Sequence, residues 1–321
     1  LARPARAEKA SGEEPALFAP GVISTTLDET GVTYTPDGTT VYFARRSPTT
    51  TSTPVQAIFV SRRSGDGWTP PEIAPFSGRW ADFAPSVSPD GARIFFSSLR
   101  PRPGGSEPRP DADIWVVERG AGGGWGEPRL LESPVNSDGN DAYACQAADG
   151  TLYFASDRPG GAGGTDIYRA APSGSGWAAP ENLGAGVNTS GYESQPAITG
   201  DETLLVFTAL GRTDIPLTGG SPYARGDLYA SVRKDGAFQA ARNLGPPVNS
   251  LATDSNPSFS PDGKSLFFTS ERGFAKIPMD SGLTREGFER AMRGIFNGRG
   301  NIYEIRLSKI GLLLSDEGAH P

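Results

Sequence analysis

The chain has 321 residues, of which 42 are glycine and 29 are proline, about 22% together, while 36% are hydrophobic and 9% aromatic. Its net charge of −7 argues against binding to nucleic acid or anionic membranes, which requires clustered Lys and Arg. A single His (His320) and a single Cys (Cys145) exclude His-based acid–base catalysis, disulfides and thiolate zinc sites. The Gly and Pro content is about twice the usual share. Because apolar residues suffice for a core, this composition predicts many short strands joined by turns.

The N-terminal residues 1–15 are rich in Ala, Arg, Glu and Pro and are expected to form a flexible leader. The first residue is Leu rather than Met, so we interpret the leader as what remains after an export signal is removed. This interpretation predicts a periplasmic or secreted protein. No apolar run approaches the ~20 residues that span a bilayer, so no membrane insertion is expected.

A short turn sequence, Pro-Asp-Gly or a degenerate form of it, recurs five times along the chain. An acidic residue stands eight positions before the turn Asp in every copy. The turn residues are Asp37, Asp90, Asp149, Asp201 and Asp262, and the acidic residues are Glu29, Asp82, Asp141, Glu193 and Asp254. The spacing varies while the local pattern stays fixed, which indicates one repeated unit with loop insertions.

Further features follow each turn in a constant order. An apolar run leads into Ser-x-Arg in three units, and a third strand then begins with Asp-Ile-Trp or a similar triplet. A Gly-Trp or Gly-x-Phe sequence precedes a last strand that ends in Asn-Leu-Gly and Val-Asn-Ser segments. The Ser-x-Arg arginines are Arg100, Arg158 and Arg272, and the Gly-Trp aromatics are Trp68, Trp125, Trp177 and Phe238. Each unit is therefore predicted to contain four short strands.

Five four-stranded units in series predict an all-β fold, a single five-bladed β-propeller over residues 16–310, followed by a C-terminal tail at 311–321. A sixth blade would need a unit that the sequence does not show. The fifth unit lacks a last strand after its third, whereas residues 16–24 resemble the last strand of the other units. We therefore expect an N-terminal strand to complete the fifth blade and close the ring.

The segment 257–270, PSFSPDGKSLFFTS, resembles the Pro-Asp-containing, WD-repeat-like repeats of TolB-type periplasmic proteins. The resemblance covers roughly residues 16–307. It implies a periplasmic or secreted scaffold with a protein partner in the cell envelope. The same repeat occurs in propellers of prolyl oligopeptidase-type peptidases, but no Gly-x-Ser-x-Gly elbow for a hydrolase domain is present here. Propellers of this type differ widely in their partners, so the fold alone says little about function.

Loop insertions between the second and third strands fall on one face of the predicted propeller, together with the acidic positions and the Ser-x-Arg loops. The insertions are 99–112, 157–165, 209–226 and 271–300. Long loops on one face usually mark a binding surface, so we predict that this insertion-bearing face carries the function.

The longest insertion, about 274–298, contains a predicted helix at about 283–297, with Thr284 as its N-cap and Asn297-Gly298 as its stop. Apolar residues recur in it at helical spacing, namely Phe288, Met292, Ile295 and Phe296. Two interpretations stay open: a lid packed on the neighbouring blade, or a partner-binding or gating helix over the channel mouth.

The five acidic residues also allow two interpretations. Innermost strands would place them around one end of the central channel, where a cation or a basic ligand would relieve their repulsion. Alternatively, each one bonds backbone amides or a nearby Arg, which is the usual fate of partly buried charge. The charged candidates for ligand binding are Glu29, Asp82, Asp141, Glu193 and Asp254, with Arg100, Arg158 and Arg272.

Three aromatic residues break the repeat and are candidates for specificity. Trp80, Tyr143 and Tyr192 stand close in sequence to Asp82, Asp141 and Glu193. Aromatic rings interleaved with carboxylates suit sugars or cationic side chains. Local packing is the alternative explanation for each of them.

Our leading hypothesis is a non-catalytic propeller scaffold that binds a protein or peptide partner through the insertion-bearing face. The alternative is a glycosidase-like, carbohydrate-active enzyme that uses channel carboxylates, because a pair of acids needs no His. A third hypothesis is a Ca²⁺ site in the Asp- and Gly-rich loops, and no other cofactor is predicted.

Overall fold

A computed structural model of the chain describes residues 14–47, 55–212, 225–273 and 284–312. It confirms an all-β, five-bladed propeller. Blade 1 contains Asp28–Tyr34, Thr40–Arg46, Gln56–Ser64 and Glu72–Ile73, and blade 2 contains Asp82–Val87, Arg93–Ser98, Asp113–Glu118 and Arg129–Leu130. Blade 3 contains Asp141–Gln146, Leu152–Ser156, Asp166–Ala170 and Glu181–Asn182, and blade 4 contains Tyr192–Ile198, Leu204–Leu210, Asp227–Lys234 and Arg242–Asn243. Blade 5 contains Asp254–Phe259, Ser265–Ser270, Asn301–Arg306 and the N-terminal strand Ala16–Leu17.

Each blade is an antiparallel sheet in which the strands follow one another from an inner to an outer position. The inner strand begins at the repeated acidic residue or one residue before it, and the Pro-Asp-Gly turn joins it to the second strand. Two-residue strands extend the hairpins that lead to the outer strands, at Gly67–Trp68, Pro172–Ser173, Gly176–Trp177 and Ala237–Phe238.

The N-terminal strand closes the ring as the sequence predicts. Ala16 and Leu17 pair antiparallel with Glu304 and Tyr303, so the start of the chain supplies the outer strand of blade 5. The next residue, Phe18, donates its backbone N–H to the Ile302 carbonyl at 2.9 Å. Its buried ring contacts the rings of blades 1 and 5, which are Tyr34, Trp68 and Phe267, at centroid distances of 5.2–5.9 Å.

The Gly-Trp aromatics pack between blades, each against the blade that precedes its own. Trp125 of blade 2 donates its indole N–H to the Tyr42 hydroxyl of blade 1 at 2.7 Å. Trp177 meets Phe95, and Phe238 meets Tyr153, in edge-on contacts. The repeat thus places one aromatic side chain at four of the five junctions, because each sheet must bury its face against a neighbour.

Among the described residues, the junction between blades 4 and 5 has no such aromatic residue, because the outer strand of blade 5 comes from the N-terminus. The chain after Arg306 fills this space instead. It forms the 3₁₀ helix Leu307–Lys309, and Leu307 and Leu312 are buried in the cluster that joins the two blades. Leu312, which the sequence assigns to the tail, therefore belongs to the core.

The predicted helix is shorter than expected. Helix α1 spans Arg285–Arg293, and Thr284 caps it by accepting a hydrogen bond from the Gly287 N–H at 3.0 Å. It ends at Gly294, whose backbone is extended, rather than at Asn297-Gly298. Phe288 and Met292 are 51% and 40% exposed, and no residue of α1 is buried. The described part of the insertion thus gives α1 no close packing on a blade.

Parts of the predicted leader, insertions and tail fall outside the described residues, namely 1–13, 213–224, 274–283 and 313–321. Within the described residues, no helix is long and apolar enough to cross a membrane.

The turn aspartates hold their own turns together. In four turns a Ser or Thr two residues before the Asp donates its hydroxyl to the carboxylate, as Ser260 does to Asp262 at 2.6 Å. Hydrogen bonds from these hydroxyls and from backbone N–H groups lower the pKa of Asp37, Asp90 and Asp262 below its usual range. In the fifth turn Ala147 stands in place of the hydroxyl residue.

Replacing Phe18→Ala should destabilise the protein by about 3–5 kcal/mol, because a buried aromatic ring at the closing strand is lost. Urea denaturation followed by fluorescence measures the free energy of unfolding. The exposed Leu27 provides the control, since Leu27→Ala should change it by less than about 0.5 kcal/mol. A Phe18→Ala protein as stable as the control would show that the N-terminal strand does not fasten the ring.

Ser260→Ala should raise the pKa of the Asp262 carboxyl towards its ordinary value of 3.8, because the hydroxyl that bonds the ionised form is removed. A depressed pKa in the folded state contributes stability above pH 3.8, and this contribution disappears as the pH falls through the folded-state value. Carbon-13 NMR titration of the aspartate carboxyls measures the shift. Asp90, which has its own Ser88, should titrate as in the unsubstituted protein, and an unmoved Asp262 would contradict the assignment.

Candidate functional site

The five repeated acidic residues lie at or next to the start of the inner strands, each with 0% exposure. Each carboxylate accepts hydrogen bonds from a Ser or Thr hydroxyl just before the strand and from an Arg. This Arg follows the second strand in four blades and lies within it, as Arg45, in blade 1. We call this arrangement the latch. The five latches are Thr25–Glu29–Arg45, Ser77–Asp82–Arg100, Ser137–Asp141–Arg158, Thr189–Glu193–Arg212 and Ser250–Asp254–Arg272.

Each latch connects two blades, because the hydroxyl residue follows the outer strand of the preceding blade. In blade 5, for example, Asp254 accepts from the Ser250 hydroxyl and from Arg272, both at 2.8 Å. Arg272 also donates to the carbonyls of Pro247 and Val248, in the segment that leaves blade 4. The guanidinium therefore ties the blade 4 exit segment to the inner strand of blade 5.

The latch arginines also stack on aromatic rings of their own blades. Arg272 lies 5.1 Å from the Phe268 ring centroid and 5.0 Å from that of Tyr303, and Arg158 lies 5.1 Å from Phe154 and from Tyr168. A guanidinium beside a carboxylate and aromatic rings has favourable electrostatic contacts with both. Such a group is held in place and has little capacity left for a ligand.

Sequence reasoning found three of the five latch arginines and missed Arg45 and Arg212. Both lie outside a Ser-x-Arg sequence, because Phe43 and Leu210 stand two residues before them, where the other blades have Ser. Both also pair with Glu rather than Asp, and the longer side chain reaches an Arg that is shifted along the chain. In the sequence, the two units that have Glu at the acidic position are also the two whose Arg lies outside a Ser-x-Arg sequence, and this coincidence could have identified both arginines.

Burial dominates the electrostatics of these glutamates. Loss of water raises the pKa of Glu29 and of Glu193, while hydrogen bonds from Thr25 and Thr189 and the nearby arginines act in the opposite direction. Burial therefore outweighs the fixed protein donors, and those donors replace solvent as the groups that bind the carboxylates.

A ring of backbone bulges surrounds the channel two residues after each acid. The register of every inner strand shifts there, and the residue at the bulge has a positive φ of 48–60°. The bulge residues are Gly31, Ala84, Tyr143, Gln195 and Asn256. Four of these are not glycine, and a left-handed backbone is costly for them, so the surrounding structure must hold it in place.

Hydroxyl groups of the neighbouring blade bind three of these bulges. The backbone N–H of Tyr143 donates to the Ser97 hydroxyl at 2.8 Å, and that of Gly31 donates to the Thr269 hydroxyl at 3.0 Å. The backbone N–H of Asn256 donates to the Thr208 hydroxyl at 3.2 Å. At the two other junctions the equivalent residue is Ala44 or Ala155, which has no hydroxyl.

Two cavities occupy the channel region, and Tyr143 lines both. The first, about 330 Å³, extends from the bulge ring towards the Pro-Asp-Gly turns, and we call it the turn-face cavity. The second, about 680 Å³, lies on the insertion-bearing face, and we call it the insertion-face cavity. Its described lining residues are Asn140, Tyr143, Gly164, Thr165, Ser190, Tyr192, Ser194 and Leu210.

Tyr192 forms a wall of the insertion-face cavity and is 46% exposed. The glycine-rich loop of blade 3 lies directly against it, with Thr165 bridged to Tyr192. A Cβ on Gly164 would stand 2.3 Å from Cε1 of the Tyr192 ring, so only glycine permits this approach. The loop itself is fixed by Asp166, whose carboxylate accepts the N–H groups of Ala162 and Gly163.

The predicted site residues therefore separate into two groups. The five acids and Arg100, Arg158 and Arg272 meet in buried latches, while Tyr143 and Tyr192 line one cavity. Trp80 is partly exposed with Arg79 5.4 Å from its ring centroid, and it is outside the described lining of both cavities. Across the described ranges, no three or more His, Cys, Asp or Glu side chains come together as a metal site.

No protein-family model matches the chain, and no curated protein matches it in sequence. Its fold is shared by solved structures. An α-L-arabinofuranosidase from Lactobacillus brevis has a TM-score of 0.53 and 14% identity, covering 89% of this chain and 92% of that one. A putative TolB from Agrobacterium tumefaciens has a TM-score of 0.47 and 18% identity, covering 87% and 90%. An oligogalacturonate lyase from Vibrio parahaemolyticus has a TM-score of 0.42 and 15% identity, covering 92% and 67%.

At identities this low the likeness shows a shared propeller fold. At 14% identity, the likeness to the arabinofuranosidase leaves the function open.

Asp254→Ala should destabilise the protein by about 3–5 kcal/mol, because it leaves the buried Arg272 without its counter-charge. The double variant Asp254→Ala/Arg272→Met should lose less than Asp254→Ala alone, since the unpaired charge is gone. Urea denaturation of the single and double variants measures the coupling.

The exposed pair Glu118–Arg129 is the control for this cycle. Glu118→Ala should cost less than about 1 kcal/mol, because solvent screens a surface pair. Equal losses at Asp254 and Glu118 would show that the latch contributes no more than a surface ion pair.

Proposed function

We propose that this propeller is a non-catalytic scaffold that binds a protein or peptide partner through the insertion-face cavity. The observation that carries the proposal is the chemistry of that cavity. Two tyrosines face it together with amide and hydroxyl groups from Asn140, Ser190 and Ser194. Tyrosine is enriched, and charged residues are depleted, at the core of surfaces that bind other proteins.

The positions of the acids favour binding over catalysis. Glycoside hydrolysis needs two carboxyl groups on either side of the scissile bond, about 5–10 Å apart and open to substrate. Each of the five repeated acids is fully buried and saturated by a hydroxyl and an Arg in its latch. Among the described lining residues of both cavities there is no Asp, Glu, His, Lys or Arg.

Within this proposal the predicted ligand-binding residues have two roles. Tyr143 and Tyr192 would contact the partner, and Trp80 would extend the contact along the same face. The eight predicted charged residues, which all lie in the latches, would hold the wall of the site in place. The partner would lie in the cell envelope, consistent with a periplasmic or secreted location and with the resemblance of the repeats to TolB-type proteins.

Selection of a peptide library on the immobilised protein tests the proposal. Peptides selected by the unsubstituted protein should bind Tyr192→Ala at least tenfold more weakly, because an exposed aromatic anchor is lost. Val232→Ala, which removes an exposed side chain from the third strand of blade 4, should leave the dissociation constant unchanged. Selected peptides that bind Tyr192→Ala and the unsubstituted protein equally would place the site elsewhere.

A glycan array and a screen for glycoside hydrolysis test the alternative that the ligand is a carbohydrate. Both use the unsubstituted protein, Tyr192→Ala and Val232→Ala. Glycan binding that depends on Tyr192, with no peptide binding, would replace the peptide partner by a sugar. Hydrolysis that disappears in Glu193→Gln would overturn the non-catalytic proposal.

A further inference from the structure

The turn-face cavity lies on the opposite side of Tyr143 from the proposed partner site. We propose that it is a second, independent binding site, for an uncharged small molecule with an aromatic or aliphatic body and a hydrogen-bonding group. Its volume of about 330 Å³ falls within the range of small-molecule sites, roughly 300–1,000 Å³.

The repeat itself creates this space. The fourth residue after each acid is small in every blade, and together these residues line the cavity. They are Thr33, Ser86, Cys145, Ala197 and Ser258. In four blades the next residue along also lines the cavity and is Tyr34, Val87, Ile198 or Phe259. Small residues at one level and apolar residues at the next leave room for a ligand body and a surface on which to pack it.

Hydrogen-bonding groups are available inside the cavity. Each inner strand is hydrogen-bonded to its own sheet on one side only, because it is the terminal strand of that sheet. Its other edge carries backbone N–H and C=O groups towards the channel. The Ser258 hydroxyl is buried and has no partner among the described residues. A buried polar group of this kind is satisfied when a ligand or water supplies the missing bond.

The lining of the turn-face cavity disfavours the binding of an ion. None of the described lining residues is Asp, Glu, Lys, Arg or His, and an ion in the cavity would have no counter-charge. Burial raises the pKa of the Cys145 thiol to about 12, so this group is also neutral at physiological pH.

The rim of the cavity is acidic. Pro36, Pro89 and Pro261 line the cavity, and each is followed directly by a turn Asp. Arg119, Arg93 and Lys264 offset part of this charge. The carboxylates disfavour an anion on the way in, whereas an uncharged molecule is unaffected.

Benzyl alcohol and benzoate are probes of the same shape that differ in charge, and saturation-transfer NMR titration measures their dissociation constants. Benzyl alcohol should bind the full chain at least tenfold more tightly than benzoate. Cys145→Leu and Ser86→Leu fill the cavity from two different blades, and each should weaken benzyl alcohol binding at least tenfold. The exposed Leu251 gives the control, since Leu251→Ala should bind as the unsubstituted protein does.

Absence of benzyl alcohol binding, or binding that is unchanged in the folded cavity-filling variants, would overturn the proposal. Benzoate binding as tight as that of the alcohol would do the same. If Cys145→Leu does not fold, Ser86→Leu decides, because it fills the cavity from the neighbouring blade 2. The peptide experiment uses the other cavity, so the two proposals stand or fall separately.

Discussion

The latch is the interaction on which the rest of this propeller depends. Neighbouring blades are joined only by a segment of chain and share no continuous hydrogen-bonded sheet, so something other than the sheets must fix the angle between blades. Here a buried carboxylate, a hydroxyl from the preceding blade's exit segment and an arginine meet at every junction. Burying a charge pair is favourable only when its geometry and remaining hydrogen bonds are nearly complete. The carbonyl acceptors and stacked rings around each guanidinium complete them.

Because the acids are needed to join the blades, their role is structural rather than that of a charged ligand site. In the sequence they look like a ring of charge at the channel mouth, and a ring of free carboxylates would attract cations or perform hydrolysis. In the structure their side chains are turned away from solvent into the junctions between blades. The residues that repeat most faithfully are thus the ones that hold the ring together. Those that differ between blades, such as Tyr143 and Tyr192, are left to line the cavities.

The sequence predicted the strand count, the blade count and the closing strand because each has a periodic signature of turns and apolar runs. It could not predict the bulge ring, since Gly31, Ala84, Tyr143, Gln195 and Asn256 share no side-chain chemistry. Their common property is a backbone conformation imposed by the junction. The helix end was predicted too late because Gly294 interrupts the apolar spacing that continues to Phe296. The partners of Glu29 and Glu193 were missed because a longer acid allows the arginine to move along the chain.

The bulge ring links the junctions to the channel. Each bulge follows a latch acid by two residues, and hydroxyls of the neighbouring blade hold three of the five. The same acid–arginine pair therefore fixes both the angle between blades and the point where the inner strand bends into the channel. Four bulge residues are no larger than glutamine, and the fifth is Tyr143, whose ring contacts Phe83 and lines both cavities. A residue that departs from the repeat at a symmetric position therefore lies between the repeated frame and both cavities.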